Sequence, residues 1–259
     1  MPPLSSQSPE RSPSRISRTT AFFGACYRIL FLRWPSYSFD DLVIIQDSLD
    51  EPAFQRAARK MREDTHGLKL MADRVELGLR TVDWKRLSLL PIDSLGYNTW
   101  HHFYANGLFE EVVLSPSILP SDPETEYAKS RYRATHDLRH VLTGLGVEGF
   151  EEVILQSFQY AQLPQKFSAL IVFFGGLKHA LLDGHWWELV VGVPRAWRVG
   201  RAVPFLSNTP YELLWEEPLE AVRAQYGILA LGSTYPVRER HPDAPWAPVW
   251  EAPPAVPSQ

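Results

Sequence analysis

Apolar residues recur three to five positions apart through most of the interior of this chain, and that period is the constraint its fold has to meet. In FDDLVIIQDSLDEPAFQRAARKMRED, Leu42, Ile45 and Leu49 are followed by Phe54, Ala57 and Met61. Side chains spaced this way share one face of a helix but fall on both faces of a strand. Pro52 is expected to open a second helix, at a position where its missing N–H costs little. YAKSRYRATHDLRHVLTG continues the period, with Gly144 placed as a C-terminal cap. EGFEEVILQSFQYAQL forms the next helix, stopped by Pro164, and PQKFSALIVFFGGLKHALL and TPYELLWEEPLEAVRAQYGI follow. Alternation of the strand kind is scarce. The expected class is all-α, an irregular multi-helix bundle.

Both ends lack the pattern. Residues 1–20 are rich in Ser, Pro and Arg and carry a single acid, Glu10. Such a segment buries too little to offset its ordering entropy, so it is expected to be disordered, although mitochondrial transit peptides share the composition. From Tyr235 to Gln259 there are seven prolines. The expected organisation is a tail over 1–20, one helical domain over 21–231, and a Pro-rich disordered tail over 232–259. A chain of 259 residues, 45% hydrophobic, has enough material for one sizeable core.

Charge and cysteine content exclude several functions. A net charge of −4 gives no basic footprint, which argues against nucleic acid as a partner. With Cys26 the only cysteine, neither an intrachain disulfide nor a cysteine zinc site can form. A metal would have to be held by histidine and carboxylate. No run of about 18 apolar residues exists. FFGACYRILFLRW is interrupted by Arg28 and Arg33, and its composition suits a helix lying in a membrane interface.

The stretch RATHDLRHVLTGLGVEGFEE carries the chemistry. At about 100° per residue, Asp137 lies at about 100° and His140 at about 40° from His136. Two imidazoles and a carboxylate thus share about a quarter-turn of helix, the arrangement a metal ion on a helix requires. Spacing alone does not separate this from an ordinary charged helix. A further donor would have to come from Glu148, Glu151 or Glu152. On their helix Phe150, Ile154, Phe158 and Ala161 form the apolar stripe, and Glu152 lies opposite with Gln156 and Gln159, which by periodicity is a solvated face.

The full pattern resembles the Coq4 family of ubiquinone-biosynthesis proteins. His136-Asp137-x-x-His140, then eleven residues, then Glu152, is similar to that family's His-Asp-x-x-His-x11-Glu signature. RYRATHDLRHVLTGL, VPRAWRVGRAVPFL and YELLWEEPLEAVRAQYGI resemble its flanking segments, so that the likeness spans roughly Ser36 to Ile228. The resemblance implies a mainly helical, membrane-associated protein with His136, Asp137, His140 and Glu152 as ligands of a divalent metal, zinc in the usual description. It implies action on the polyprenylated aromatic precursor of ubiquinone, by oxidative decarboxylation at ring carbon C1, beside other ubiquinone-synthesis proteins. The location implied is the cytoplasmic face of the inner membrane in a bacterium, or the matrix face of the mitochondrial inner membrane in a eukaryote. Oligomeric state, a homo-oligomer included, is left open. A lipid-binding scaffold of the same pathway and a metal-dependent phosphohydrolase are the alternatives.

Zinc has no redox chemistry of its own, and two histidines with carboxylates also suit non-haem iron. Arg133, at about 60° on the same wheel, is expected either to hold a substrate carboxylate or to pair with Asp137 one turn away. Arg139 is read as surface or as a neighbour of the ligands, and Thr143 as lying on the ligand face. His101, His102, His179 and His185 lack a carboxylate at a useful spacing and are read as non-ligands. The isoprenoid tail would need an apolar groove; Phe167–Leu182 can supply it, though each of its residues taken singly reads as core.

Overall fold

The computed structural model describes residues 39–111 and 121–239, apart from the side chains of 39–42 and 110–111. The expected N-terminal tail, the interfacial helix over 22–34 and residues 240–259 of the Pro-rich tail lie outside the described residues. Within them the chain is helical, with no strand. Its helices are α1 (Phe39–Arg62), α2 (Thr65–Asp73), α3 (Trp84–Leu89), α4 (Leu95–Ala105), α5 (Leu108–Glu111), α6 (Pro123–Ala134), α7 (His136–Thr143) and α8 (Gly149–Gln162). After α8 come α9 (Lys166–Leu170), a π-helical turn (Ile171–Gly175), α10 (Gly176–Leu181), α11 (Trp186–Ala202) and α12 (Leu219–Tyr226).

Local chemistry sets most of the boundaries. Asp64, Asp83 and Ser94 each accept a hydrogen bond from the backbone N–H three residues on, starting α2, α3 and α4. Asp122 does the same for α6, with Pro123 in the first turn. Gly144 and Gly227 close α7 and α12 with positive φ. Pro52 departs from expectation: α1 runs straight through it. Val43 and Ile45 before the proline, and Ala53, Phe54, Ala57 and Met61 after it, are all buried. Burial along the whole helix outweighs the roughly 3 kcal/mol that an interior proline costs.

Two apolar cores result. The smaller joins α1, α2 and α6 through Phe54, Met61, Leu70, Tyr127 and Tyr132. The larger gathers α4, α7, α8, α11 and α12 around Trp100, Leu138, Leu155, Phe158 and Leu219. The segment 167–182 is not core as its residues singly suggested. Phe173 is 66% exposed and Leu182 78%, and at the start of α11 Trp187 is 71% exposed. No helix is long and apolar enough to cross a membrane.

The chain after α12 also departs from expectation, because residues 231–237 fold back onto the larger core. Leu231 N–H donates to the Thr143 carbonyl at 2.7 Å and Thr234 N–H to that of Gly144 at 3.0 Å. Val237 N–H donates to Asn98 Oδ1 at 2.8 Å, and Tyr235 is buried. Gly144 and Gly232 meet backbone to backbone: a Cβ on Gly144 would lie 2.5 Å from the Gly232 oxygen. With φ of +77° as well, Gly144→Ala is expected to lower stability by about 2 kcal/mol or more. Urea denaturation of the two chains measures this, and equal midpoints would show that the contact is not built as described.

Candidate metal centre

The chain breaks between α6 and α7 at Thr135, whose φ of −95° and ψ of 8° leave the helical region. Thr135 Oγ1 donates to the Arg131 carbonyl at 2.9 Å, holding the end of α6. A new helix then starts at His136, and Leu138, Val141 and Leu142 anchor it in the larger core. His136, Asp137 and His140 are turned toward α4 on one side and α8 on the other.

Their donor atoms converge. The Nε2 atoms of His136 and His140 lie 3.3 Å apart. Glu152, from the first turn of α8, places Oε2 at 3.1 Å from His140 Nε2 and 3.7 Å from His136 Nε2. Ligand atoms of His136, Asp137 and His140 all lie within 4.8 Å of one another. Bonds of about 2.0–2.2 Å around a tetrahedral zinc put neighbouring donors roughly 3.3–3.6 Å apart. The separations among His136, His140 and Glu152 fall about that value, so the donor set and its spacing fit a small divalent cation. His140 is buried, whereas His136 and Glu152 each expose 32% of their side chains, which leaves one side of the group open.

The charges are mutually stabilising. Burial alone would raise the Glu152 carboxyl, but the His136 charge and the hydrogen bonds from His140 and Gln156 pull it down to about 2. Asp137 is likewise held well below the usual carboxylate range: burial works against it, and the hydrogen bond from His102 with the neighbouring imidazoles outweighs that. Burial also opposes a charge on His140, yet Glu152 and Asp137 raise it above its ordinary value. His136 is pushed down, by burial first and then by His140.

A second tier holds these groups. Gln156 Nε2 donates to Glu152 Oε1 at 2.7 Å, and the Gln159 amide bonds His136 Nδ1 at 2.9 Å. The face of α8 that periodicity assigns to solvent is therefore turned onto α7, and Gln156 and Gln159 are buried. A stripe of uncharged glutamines beside one glutamate was the available signal, since solvated helix faces favour charge. His102 Nε2 lies 3.3 Å from Asp137 Oδ1, so the reading of His102 as lacking a carboxylate is corrected. Its partner lies 35 residues on, beyond any local spacing rule.

Other expected residues fall elsewhere. Arg133 pairs with Asp47 and donates to Gln46 Oε1 at 2.8 Å, beneath the Phe54 ring. It contacts neither Asp137 nor the open side of the centre, because the wheel that related it to His136 does not survive the break at Thr135. Arg139 is not a surface residue. It is buried, stacked 4.1 Å over the Tyr132 ring, and donates to Thr135 Oγ1 and Ser207 Oγ. Thr143 is buried and caps its own helix through the Arg139 carbonyl at 2.6 Å. Of the other α8 acids, Glu151 accepts from Gly146 N–H at 2.9 Å, which closes the α7–α8 loop. His101 lies beside the Tyr97 and Trp100 rings. His179 does have a carboxylate at helical spacing, Asp183 at 2.6 Å, and His185 stacks on Phe150. Neither joins the α7 cluster.

Residues 34–231 match the family model described as coenzyme Q (ubiquinone) biosynthesis protein Coq4. The chain is 27% identical over 194 residues to the mitochondrial ubiquinone biosynthesis protein COQ4 homolog of Bos taurus, covering 74% of this chain and 72% of that one. With the Rattus norvegicus homolog the identity is 29% over the same shares, and with the Homo sapiens homolog it is 27%, over 75% and 72%. A crystal structure from Nostoc punctiforme PCC 73102, whose description places it provisionally in ubiquinone biosynthesis, superposes with a TM-score of 0.60. It covers 82% of this chain and 95% of that one at 22% identity, a likeness of fold.

A cation that takes His140 Nε2 must displace the proton that Glu152 and Asp137 help to hold there. Zinc affinity is therefore expected to fall by up to about tenfold for each pH unit below the raised His140 value. Calorimetric zinc titrations between about pH 8 and about pH 6 measure this; an affinity independent of pH would remove His140 from the ligand set.

Proposed function

Since the chain belongs to the Coq4 family of coenzyme Q (ubiquinone) biosynthesis proteins, we propose that it carries out metal-dependent oxidative decarboxylation at ring carbon C1 of a polyprenylated aromatic precursor. The reaction exchanges a ring carboxylate, lost as carbon dioxide, for a hydroxyl, and needs an oxidant as co-substrate. The observation that carries this reading is Glu152 Oε2 at 3.1 Å from His140 Nε2, with His136 and Asp137 completing an oxygen–nitrogen donor group that is open on one side.

In this reading His136, Asp137, His140 and Glu152 hold a divalent metal, zinc first and iron second. When bound, the metal supplies Lewis acidity and a template for an oxygen donor such as the ring carboxylate or a phenolate. The chain's own residues do the rest. Gln156 and Gln159 fix Glu152 and the His136 ring, and His102 fixes Asp137. Buried Leu138, Val141 and Leu142 keep α7 from shifting. Arg133 has no part in this mechanism, because Asp47 and Gln46 engage it.

The isoprenoid tail and the membrane surface enter through the exposed face of the π turn, α10 and the start of α11. Phe173, Leu177, Leu181, Leu182, Trp186 and Trp187 are exposed there. Aromatic and aliphatic groups of this kind partition into a bilayer interface. Helix α8 carries Glu152 toward α7, and its Val153 packs against the Gly175 backbone of the π turn. A polar head at the centre and an apolar tail on that face would thus be about one helix diameter, roughly 10 Å, apart.

Complementation tests the reading. In a strain lacking its own Coq4-type protein, the chain is expected to restore ubiquinone and Glu152→Ala to lower it by about tenfold or more. The precursor that accumulates is expected to retain its C1 carboxylate, as mass spectrometry would show. A Glu152→Ala variant that restores ubiquinone fully, or a precursor blocked at another ring position, would sink the catalytic reading and leave that of a scaffold.

A further inference from the structure

We propose that the strap over residues 231–237 is a working part of the candidate metal centre: Tyr235, acting through His102, sets the orientation in which Asp137 presents its carboxylate beside His136 and His140. The inference rests on the reading of those residues as ligands. Tyr235 and His102 are positioning residues in it.

His102 lies on α4 with no exposed surface and has both ring nitrogens engaged. Nδ1 is 2.8 Å from the Tyr235 hydroxyl, and Nε2 is 3.3 Å from Asp137 Oδ1. An ionised carboxylate only accepts, so the nitrogen facing Asp137 is the N–H of a neutral ring, and Nδ1 accepts from the tyrosine hydroxyl. The ring also stacks on that of His140, with centroids 5.3 Å apart and planes 24° from parallel. It cannot turn without breaking both hydrogen bonds and that stack. One Asp137 oxygen is thereby taken up by His102, and the other remains for a cation. Carboxylate ligands are held in this way at metal sites, and loss of the supporting group typically weakens binding by roughly 10- to 100-fold.

Tyr235 is placed independently of His102. Its carbonyl accepts from Arg223 at 3.0 Å, and the same guanidinium donates to the Val141 and Leu142 carbonyls at the end of α7. On either side, Thr234 N–H bonds the Gly144 carbonyl and Val237 N–H bonds Asn98. Because Gly144 and Gly232 touch through their backbones, the register of the strap along α7 is fixed within an atom's width. The strap therefore holds the C-terminal end of the helix that carries both histidines and delivers the hydroxyl that steadies the aspartate at its start. Tyr235 lies beyond the family-matched residues 34–231, so the inference concerns a segment outside that match.

Titration of the purified full chain with Co²⁺, whose visible absorption reports coordination geometry, tests this. Wild type is expected to bind Co²⁺ stoichiometrically and His140→Ala to lose it. Tyr235→Phe keeps the ring and removes only the hydroxyl; it is expected to weaken binding severalfold and to shift the Co²⁺ spectrum, with thermal stability of the metal-free chain little changed. His102→Leu is expected to weaken binding by roughly 10- to 100-fold. His102→Gln, which can place an N–H where Nε2 stood, is expected to recover most of the loss, as a merely structural role would not. Should Tyr235→Phe bind within about twofold of wild type with an unchanged spectrum, the strap's role is overturned while the ligand reading stands. A wild-type chain that takes up no Co²⁺ would overturn the ligand reading and this inference together. Tyr235→Phe decides the matter even if His102→Leu does not fold.

Discussion

Four chargeable side chains against one short helix are costly to place at the edge of a helical core, and the surrounding fold is arranged around that cost. Each group, taken alone, would be driven toward neutrality by burial. Together they stabilise one another: Glu152 lies against His140 and His136, and Asp137 against His102. Pairing of this kind requires that α8 turn its polar face inward, which it does only because Gln156 and Gln159 find partners on arrival. A half-satisfied network would cost more than an apolar one. The glutamines are therefore as much a condition of the packing of α8 on α7 as the apolar residues beside them.

The break at Thr135 lies on the seam between the two cores. Tyr127, Ala128 and Tyr132 of α6 belong to the smaller, and Leu138, Val141 and Leu142 of α7 to the larger. A continuous helix would hold one fixed angular relation across the seam, and the two stripes could not each meet their own core. Arg139 ties the pieces together: from α7 it reaches back to the Tyr132 carbonyl and ring, to Thr135, and across to Ser207. Its burial pushes the guanidinium pKa down from its ordinary value, with Tyr132, Tyr211 and Asp137 working the other way. The cation behind α7 and the donors in front of it share one short segment.

What the sequence made legible follows from this arrangement. The helical period announced the all-α class, and Gly144 announced a cap, because both are local consequences of residue type. The convergence of His136, Asp137 and His140 was legible too, since all three lie within α7, where 100° per residue holds. Arg133 was misplaced because the same rule was carried across Thr135. Glu152 had only the family resemblance to recommend it, as its own helix assigned it to solvent. His102 and Tyr235 were not legible: their relation to Asp137 is made by α4 and by the strap, and no local spacing encodes it. The strap itself was hidden by its prolines, which mark a chain without helix or sheet bonds but leave single N–H groups, such as those of Thr234 and Val237, free to anchor it.

The exposed apolar face follows from how α11 packs on α8. Its inner positions are small where the helices approach most closely. A Cβ on Gly192 would meet Ile154 at 2.6 Å, and one on Gly200 would meet the Phe158 carbonyl at 2.5 Å. With Leu189, Ala196 and Val199 buried beside those glycines, the apolar stripe that a single domain needs from this helix is already complete. Trp187, Val190, Val191 and Trp197 lie outside it and remain exposed. An apolar surface this broad, on a helix whose core face is already satisfied, contributes nothing to the stability of the isolated chain and has to be accounted for by what it meets. A substrate with a polar ring and an apolar tail, presented at a membrane surface, accounts for it together with the open donor group across α8.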